Sequence, residues 1–526
     1  MTVFKKRLFI ILLAFACVFA TLAFGAQNSV HATDTKTLDD VTFVMIDGAS
    51  VRLKDGSYGM RFAGAITYAD YDGLVENYGE ENIDCGMFIM PVSYIDKVGE
   101  LNYDNTFGES AKFIWGDKAT SVKVDGKYRI IHMETLAVAT GYDPYIGAQV
   151  YKIQGSVHGV LDQNLARDYT ACAYIKAGGE YKFATGTPSR SMVEVALRAI
   201  NSGDYDDTEN PAIVADRAVL DGYVSAFKTY IDDDNPTFSY TINYVDEGGT
   251  IVDSDVLGIN LNTAIDRTLT APSGYALDES CRLQEHVYAS DKTINVKVKS
   301  ATVLTDASTL HNSFAPGDNS NSYAVEDDII ITDPSITGSS TIYYHNYGSH
   351  FTGVLDGKGH IIKDAIIDDD ITSYGFLSAA ATGSTIRDIA IVNFTGSYRN
   401  FITYTATDFT IENAYLSGSC KYHDYFEEVR GGVEFNYVIL NAYCTDGKAL
   451  GKAGYSAADA ERVSYNNVIK LDGDAYTVYE NNVEAASGDD FFADYASGLG
   501  AEWAARGFTV ENDTLYFHGT EILKKN

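Results

Sequence analysis

Residues 351–367 read FTGVLDGKGHIIKDAII and carry Asp356, Lys358, His360 and Asp364 in one short span. Two carboxylates beside an imidazole and an amine are groups that polysaccharide cleavage uses. One carboxyl gives a proton to the leaving oxygen, and the other takes a proton or steadies developing charge. Asp388 follows Asp364 by 24 residues. A repeat of that period would stack the two about 5 Å apart, where they could share a calcium ion. If the chain is an enzyme, Asp356, His360, Asp364 and Asp388 are its expected catalytic groups. If it holds calcium, Asp364 and Asp388 are the expected ligands, and no other cofactor is called for. The plainer reading makes LDGKGH a turn. Asp and Gly then serve the backbone, and Lys358 and His360 face water.

A second group lies at 422–430, YHDYFEEVR. Tyr422, His423 and Tyr425 are its expected ligand-binding residues, because tyrosine rings offer sugars an apolar face and a polar tip. Asp424, Glu427 and Glu428 make it acidic, as does the DDD triplet at 368–370. His345 and His350 precede the first group without the HExxH spacing of a zinc peptidase. No GxSxG elbow, phosphate-binding loop or dinucleotide fingerprint occurs, so those chemistries have no residues to rest on.

The elements that must position these groups repeat. Ile362, Ile386, Ile411 and Phe435 begin four similar lines, IKDAII, IRDIAI, IENAYL and FNYVIL, spaced 24, 25 and 24 residues. Ile367, Ile391, Leu416 and Leu440 recur in phase, as do Ala365, Ile389, Ala414 and Val438. Phe376, Phe401 and Phe426 form a second register. Short β-branched runs with Gly, Asn and Asp turns at this period predict a parallel β-helix over 304–526, in which each coil covers the apolar residues of the last. Asp364 should then stack on Asp388, and Cys420 on Cys444, as paired thiols or as a disulfide. Residues 455–470 would supply one more coil, and 489–510 a short helical cap. The pattern resembles right-handed β-helix proteins, both pectate-lyase-like folds and glycine-rich adhesin repeats. That resemblance implies either a polysaccharide groove or a binding surface.

Upstream, alternating runs over 40–235 predict a β-rich, sandwich-like domain ending in two helices. In the first helix Met192, Val193, Ala196, Leu197 and Ile200 share a face, with Gly203 as the stop. In the second, Asn210 is the N-cap and Pro211 the first helical residue. The stretches GASVRL, GMRF and DYDGLVENYGEENIDCGMFIMP resemble a module of surface and secreted proteins from Gram-positive, often gut-dwelling bacteria, which implies a location rather than an activity. Residues 240–300, with a DEGGT turn and an APSGY turn, resemble the small β-grasp or Ig-like repeats of mucin-binding and internalin-type surface proteins. The whole is expected to be mainly β and multidomain.

The first 32 residues, with Lys5, Lys6 and Arg7 before an apolar run and small residues at Ala23-Phe24-Gly25 and Val30-His31-Ala32, read as a secretory signal. No later stretch is apolar for 18 residues, so no transmembrane helix is expected. The formal charge of −34 disfavours nucleic acid. An odd set of five cysteines beyond the signal (Cys85, Cys172, Cys281, Cys420, Cys444) is no disulfide framework. These features point to a secreted or cell-surface binding or adhesion protein with an extracellular glycan or surface protein as partner. A polysaccharide lyase or hydrolase and a non-catalytic spacer are the alternatives.

Overall fold

The computed structural model describes residues 35–525 except 55, 117–122, 125, 314–319, 332–350, 368–376, 380–382, 397–401, 405–408, 421–425, 429–431 and 445–462. The chain is mainly β and divides into two compact units, 1–234 and 235–526.

In the first unit, strands Phe43–Met45, Ser57–Thr67, Ala148–His158 and Ala137–Asp143 lie side by side, with Ser50–Lys54 folded back on Ser57–Thr67. A second sheet runs Glu180–Phe183, Tyr169–Ala177, Ile83–Pro91, Lys127–Thr135, Phe113–Gly116. Glycines let the two sheets approach. A Cβ on Gly64 would lie 2.7 Å from that of Ala173, and one on Gly155 2.7 Å from Met87 Sδ. From Cys85 to Pro91 every residue is buried, because this strand is covered on both faces. Its outer face meets a cluster of Phe88, Met90, Tyr94, Leu101, Phe113, Tyr128, Ile130 and Tyr174. Two helices close the unit as their caps predict. Ser191 accepts from Glu194 N at the start of Met192–Asn201. Asn210 accepts from Ala212 N before Pro211–Ile231, with Pro211 in the first turn.

In the second unit, Thr237–Val245 pairs antiparallel with Ile251–Asn260 and parallel with the long strand Lys292–Leu304. The end of that same strand pairs with Ser322–Val325. Residues 240–300 and the repeats therefore share one sheet within one unit, with no break between them. From there Tyr323, Leu355, Ile386, Ile411, Phe435 and Tyr465 pair in succession, every step parallel. Leu377, Ile402 and Phe426 form a second, three-stranded parallel set. Phe376 and Phe401 lie outside the described residues, and their neighbours rather than they share Phe426's register. Val463–Asp472 is one more parallel strand, and short helices occur at Phe491–Asp494 and Ala501–Ala504.

The inner face of the stack is apolar throughout: Ile386, Ile411 and Phe435 in one row, Ile389, Ala414 and Val438 in the next, Ile391, Leu416 and Leu440 in a third. Its outer face, through Ala390, Tyr415, Ile439 and Ile469, packs against Phe491, Trp503, Phe508 and Phe517 of the C-terminal segment. Two inward rows only three residues apart require a break in strand parity. Asp388, Asn413 and Tyr437 supply it with φ of 46°, 49° and 55°, each at a position skipped in the pairing. Asp and Asn tolerate this left-handed conformation better than other non-glycine residues. Cys420 and Cys444 are register partners.

The first line of the sequence repeat is corrected here. Leu355, not Ile362, pairs with Ile386, and Ile362 pairs with Ile391. The four residues 357–360 loop out where the next strand has only Asp388 and Ile389, and this insertion moves IKDAII out of phase.

The inner rows carry the apolar burial of this unit. Ile411→Ala should lower its unfolding free energy by about 2–5 kcal/mol, read as an earlier urea midpoint with an unchanged slope.

Candidate functional site

Register places Asp356 beside Arg387, and Arg387 beside Glu412. The result is a column of negative, positive and negative side chains, one per strand and about 4.8 Å apart. All three are buried. Two polar strips from distant sequence close over it. In the first, Leu277 N donates to Asp356 Oδ2 at 2.9 Å, and Ser280 Oγ donates to Glu412 Oε1. Beside them Cys281 is 1% exposed, its thiol pushed well above the usual range by burial and then by the neighbouring carboxylates Glu412 and Asp388. Arg282 ties that strip to the second, donating to Ala505 O and pairing with Asp266.

The second strip, residues 505–518, closes over the left-handed row. Asp388, 1% exposed, accepts through Oδ1 from Asn413 Nδ2 at 2.7 Å and lies 3.1 Å from His518 Nε2. Asn413 Nδ2 also donates to Arg506 O at 3.2 Å. The Arg506 guanidinium lies over the Tyr437 ring at 3.2 Å, which gives the bulky left-handed residue of the row a cation–π partner. Burial lowers the Arg506 pKa, and the adjacent Tyr437 offsets part of that shift.

The LDGKGH span is a turn, with Lys358 and Gly359 at φ 50° and 82°. It is not a solvated one. Lys358 Nζ is buried and donates to Glu326 Oε1 and Pro272 O, each at 2.8 Å. The glycines make room. A Cβ on Gly357 would strike Asp388 O, and one on Gly359 would come within 2.8 Å of the His518 ring. His360, half-buried, pairs through Nδ1 with Asp328 Oδ1 at 3.1 Å.

The expected Asp364–Asp388 stack does not form. The same insertion carries Asp364 to the level of Asn393, whose Nδ2 donates to Asp364 Oδ1 at 3.1 Å. The neighbour of Asp388 on the next strand is Asn413. A calcium ion shared by Asp364 and Asp388 has no geometry to support it. Among the described residues no group of three or more His, Cys, Asp or Glu side chains could hold a metal. Tyr422, His423 and Tyr425 lie outside the described residues, as do His345 and His350. Arg387 and Glu412 stand in the repeat text, but Cys281, Arg506 and His518 carry no periodic signal that could have drawn attention to them.

No protein-family model, curated protein or solved structure matches the chain.

Chemically, the cluster is built to hold charge in place. Asp388 Oδ2, Asn413 Oδ1, and Arg387 Nε and Nη1 have no hydrogen-bond partner among the described residues, so the column depends on Coulombic attraction. Removing the central cation should therefore be severe. Arg387→Met would leave two buried carboxylates facing each other's field and should cost about 3–5 kcal/mol, measured by urea unfolding.

The column also sets a pH response. Burial, with Asp388 adding to it, raises the Asp356 carboxyl from 3.8 to about 6, against the opposing pull of Leu277 N, Arg387 and Lys358 N. A raised folded-state value means that stability is greatest below the ordinary carboxyl range and is lost as pH climbs through about 6. Between pH 4 and 7.5, the stability of the wild type relative to Asp356→Asn should fall by about 3 kcal/mol. A difference independent of pH would show that Asp356 titrates normally.

Proposed function

We propose that the protein is a secreted or cell-surface binding protein whose second unit is a short right-handed parallel β-helix presenting a surface to extracellular glycans or proteins. On this reading residues 240–300 are a small Ig-like or β-grasp-like module feeding the helix. The first unit is a sandwich-like domain of the kind carried by Gram-positive surface proteins. The parallel register through six successive strands and the second parallel set at Leu377, Ile402 and Phe426 support the helical winding. The basic and apolar start of the chain supports export.

One observation carries the choice of binding over catalysis. Asp356 and Asp388, the carboxylates best suited by type to acid–base work, are each 1% exposed and engaged by backbone N–H, Asn413 and His518. A general acid must reach its substrate within hydrogen-bond distance, and these two face protein. Ligand contact then falls to Tyr422, His423 and Tyr425. Among the described residues no helix is long and apolar enough to cross a membrane, which fits a surface association made through such contacts.

The test is binding of residues 33–526 to immobilised mucin glycans and to acidic and neutral polysaccharides, with reducing ends and unsaturated products followed in the same samples. Saturable binding without product is expected, weakened about tenfold or more, or about 1.4 kcal/mol, by the double change Tyr422→Ala, Tyr425→Ala. Product formation abolished by Asp364→Asn or Asp388→Asn, in protein shown to be folded, would replace this reading with the lyase or hydrolase.

A further inference from the structure

The first unit contains a cavity of about 410 Å³ on the outer face of its second sheet, within the roughly 300–1,000 Å³ typical of small-molecule sites. Its origin is local. Strand Ile83–Pro91 runs directly into helix Val92–Val98, which stops at Gly99 with φ 78°. The chain then turns back through Glu100 and Leu101 over the neighbouring strand. Thr170 pairs with Met90, and Cys172 with Phe88. Two residues apart on one strand, Thr170 and Cys172 face the same side.

The walls are apolar, formed by Met90, Ile95, Leu101 and Ala184 among others. Two polar features break them. Thr170 is 3% exposed, and its hydroxyl has no hydrogen-bond partner among the described residues. Such a group costs about 1–3 kcal/mol when left unsatisfied. Glu100 is the one charged residue of the lining, and its side chain is exposed. Cys172 offers no competing charge at neutral pH, because burial pushes its thiol up to about 12.

We propose that this cavity binds a small amphipathic amine. An aromatic or short aliphatic body fills the apolar volume, its ammonium group meets Glu100, and a hydroxyl on the body takes the open hydrogen bond of Thr170. Charge chooses the class. The lining offers a carboxylate and no cation, on a chain of formal charge −34, so an anionic ligand of the same shape would be repelled.

The experiment is calorimetric titration of residues 33–526 with tyramine, with 3-(4-hydroxyphenyl)propionate as the anionic probe and 4-ethylphenol as the neutral one. Tyramine should bind saturably and about tenfold or more tighter than the carboxylate. Glu100→Gln should erase that preference, while 4-ethylphenol binding stays unchanged. Ala184→Leu, which fills the cavity, should abolish binding of both; if that variant does not fold, Ile95→Trp fills the volume from the half-buried helix face. Absence of saturable tyramine binding below about 1 mM overturns the proposal. So does undiminished binding in a folded, filled variant, or an amine preference that survives Glu100→Gln.

Discussion

Arg387 stands between Asp356 and Glu412 with all three side chains out of water, and the second unit is arranged around the cost of keeping them there. Desolvating a charge costs several kcal/mol even when it is paired, so the column persists only while its hydrogen-bonding covers stay closed. Those covers come from residues 277–282 and 505–518, on either side of the repeats in sequence. They bring the small module, the parallel stack and the C-terminal segment together at one place. Were any of the three displaced, a carboxylate or guanidinium would lose its partner while still largely buried, and the penalty would exceed that of an exposed apolar patch of similar size.

The left-handed row beside the column does a different job. An uninterrupted strand would alternate strictly, sending residues 386 and 389 to opposite faces. The left-handed residue between them resets parity, so both reach the core. The carboxamide and carboxylate that tolerate this backbone, Asn413 and Asp388, then bond to each other across strands. Backbone geometry and cross-strand adhesion are served by the same two side chains. Their presence in the repeat therefore reflects folding as much as any chemistry a carboxylate might perform.

Much of this was legible in the text of the chain. The rows headed by Ile386, Ile411 and Phe435 could be read because nothing is inserted between those strands, and apolar residues at constant spacing have few alternatives. The two helices could be read from Asn210, Pro211 and an apolar face. The first strand was misphased because IKDAII resembles IRDIAI more closely than LDGKGH resembles anything, and a loop of 357–360 leaves no mark on residue types. That one slip produced the expectation of a paired-aspartate site. The burial of Asp356, Asp388 and Lys358 was invisible for another reason. It depends on Leu277, Ser280, Arg506 and His518, which approach from segments with no repeat of their own. The cavity of the first unit escaped because its lining residues have the same types as the core around them.

The strands at the two ends of the large sheet have a bearing on how the molecule behaves in company. Ile251–Asn260 and Val483–Gly488 are its terminal strands, and both are joined antiparallel to their neighbours. A stack of parallel strands ending in bare backbone is a template on which another copy could grow. Here each end turns back on itself and presents acidic side chains, Asp253 at one margin and Glu484 at the other, both exposed. Two copies meeting end to end would bring like charges together along unpaired backbone, so fibre growth is opposed at both margins and the stack keeps a finite length.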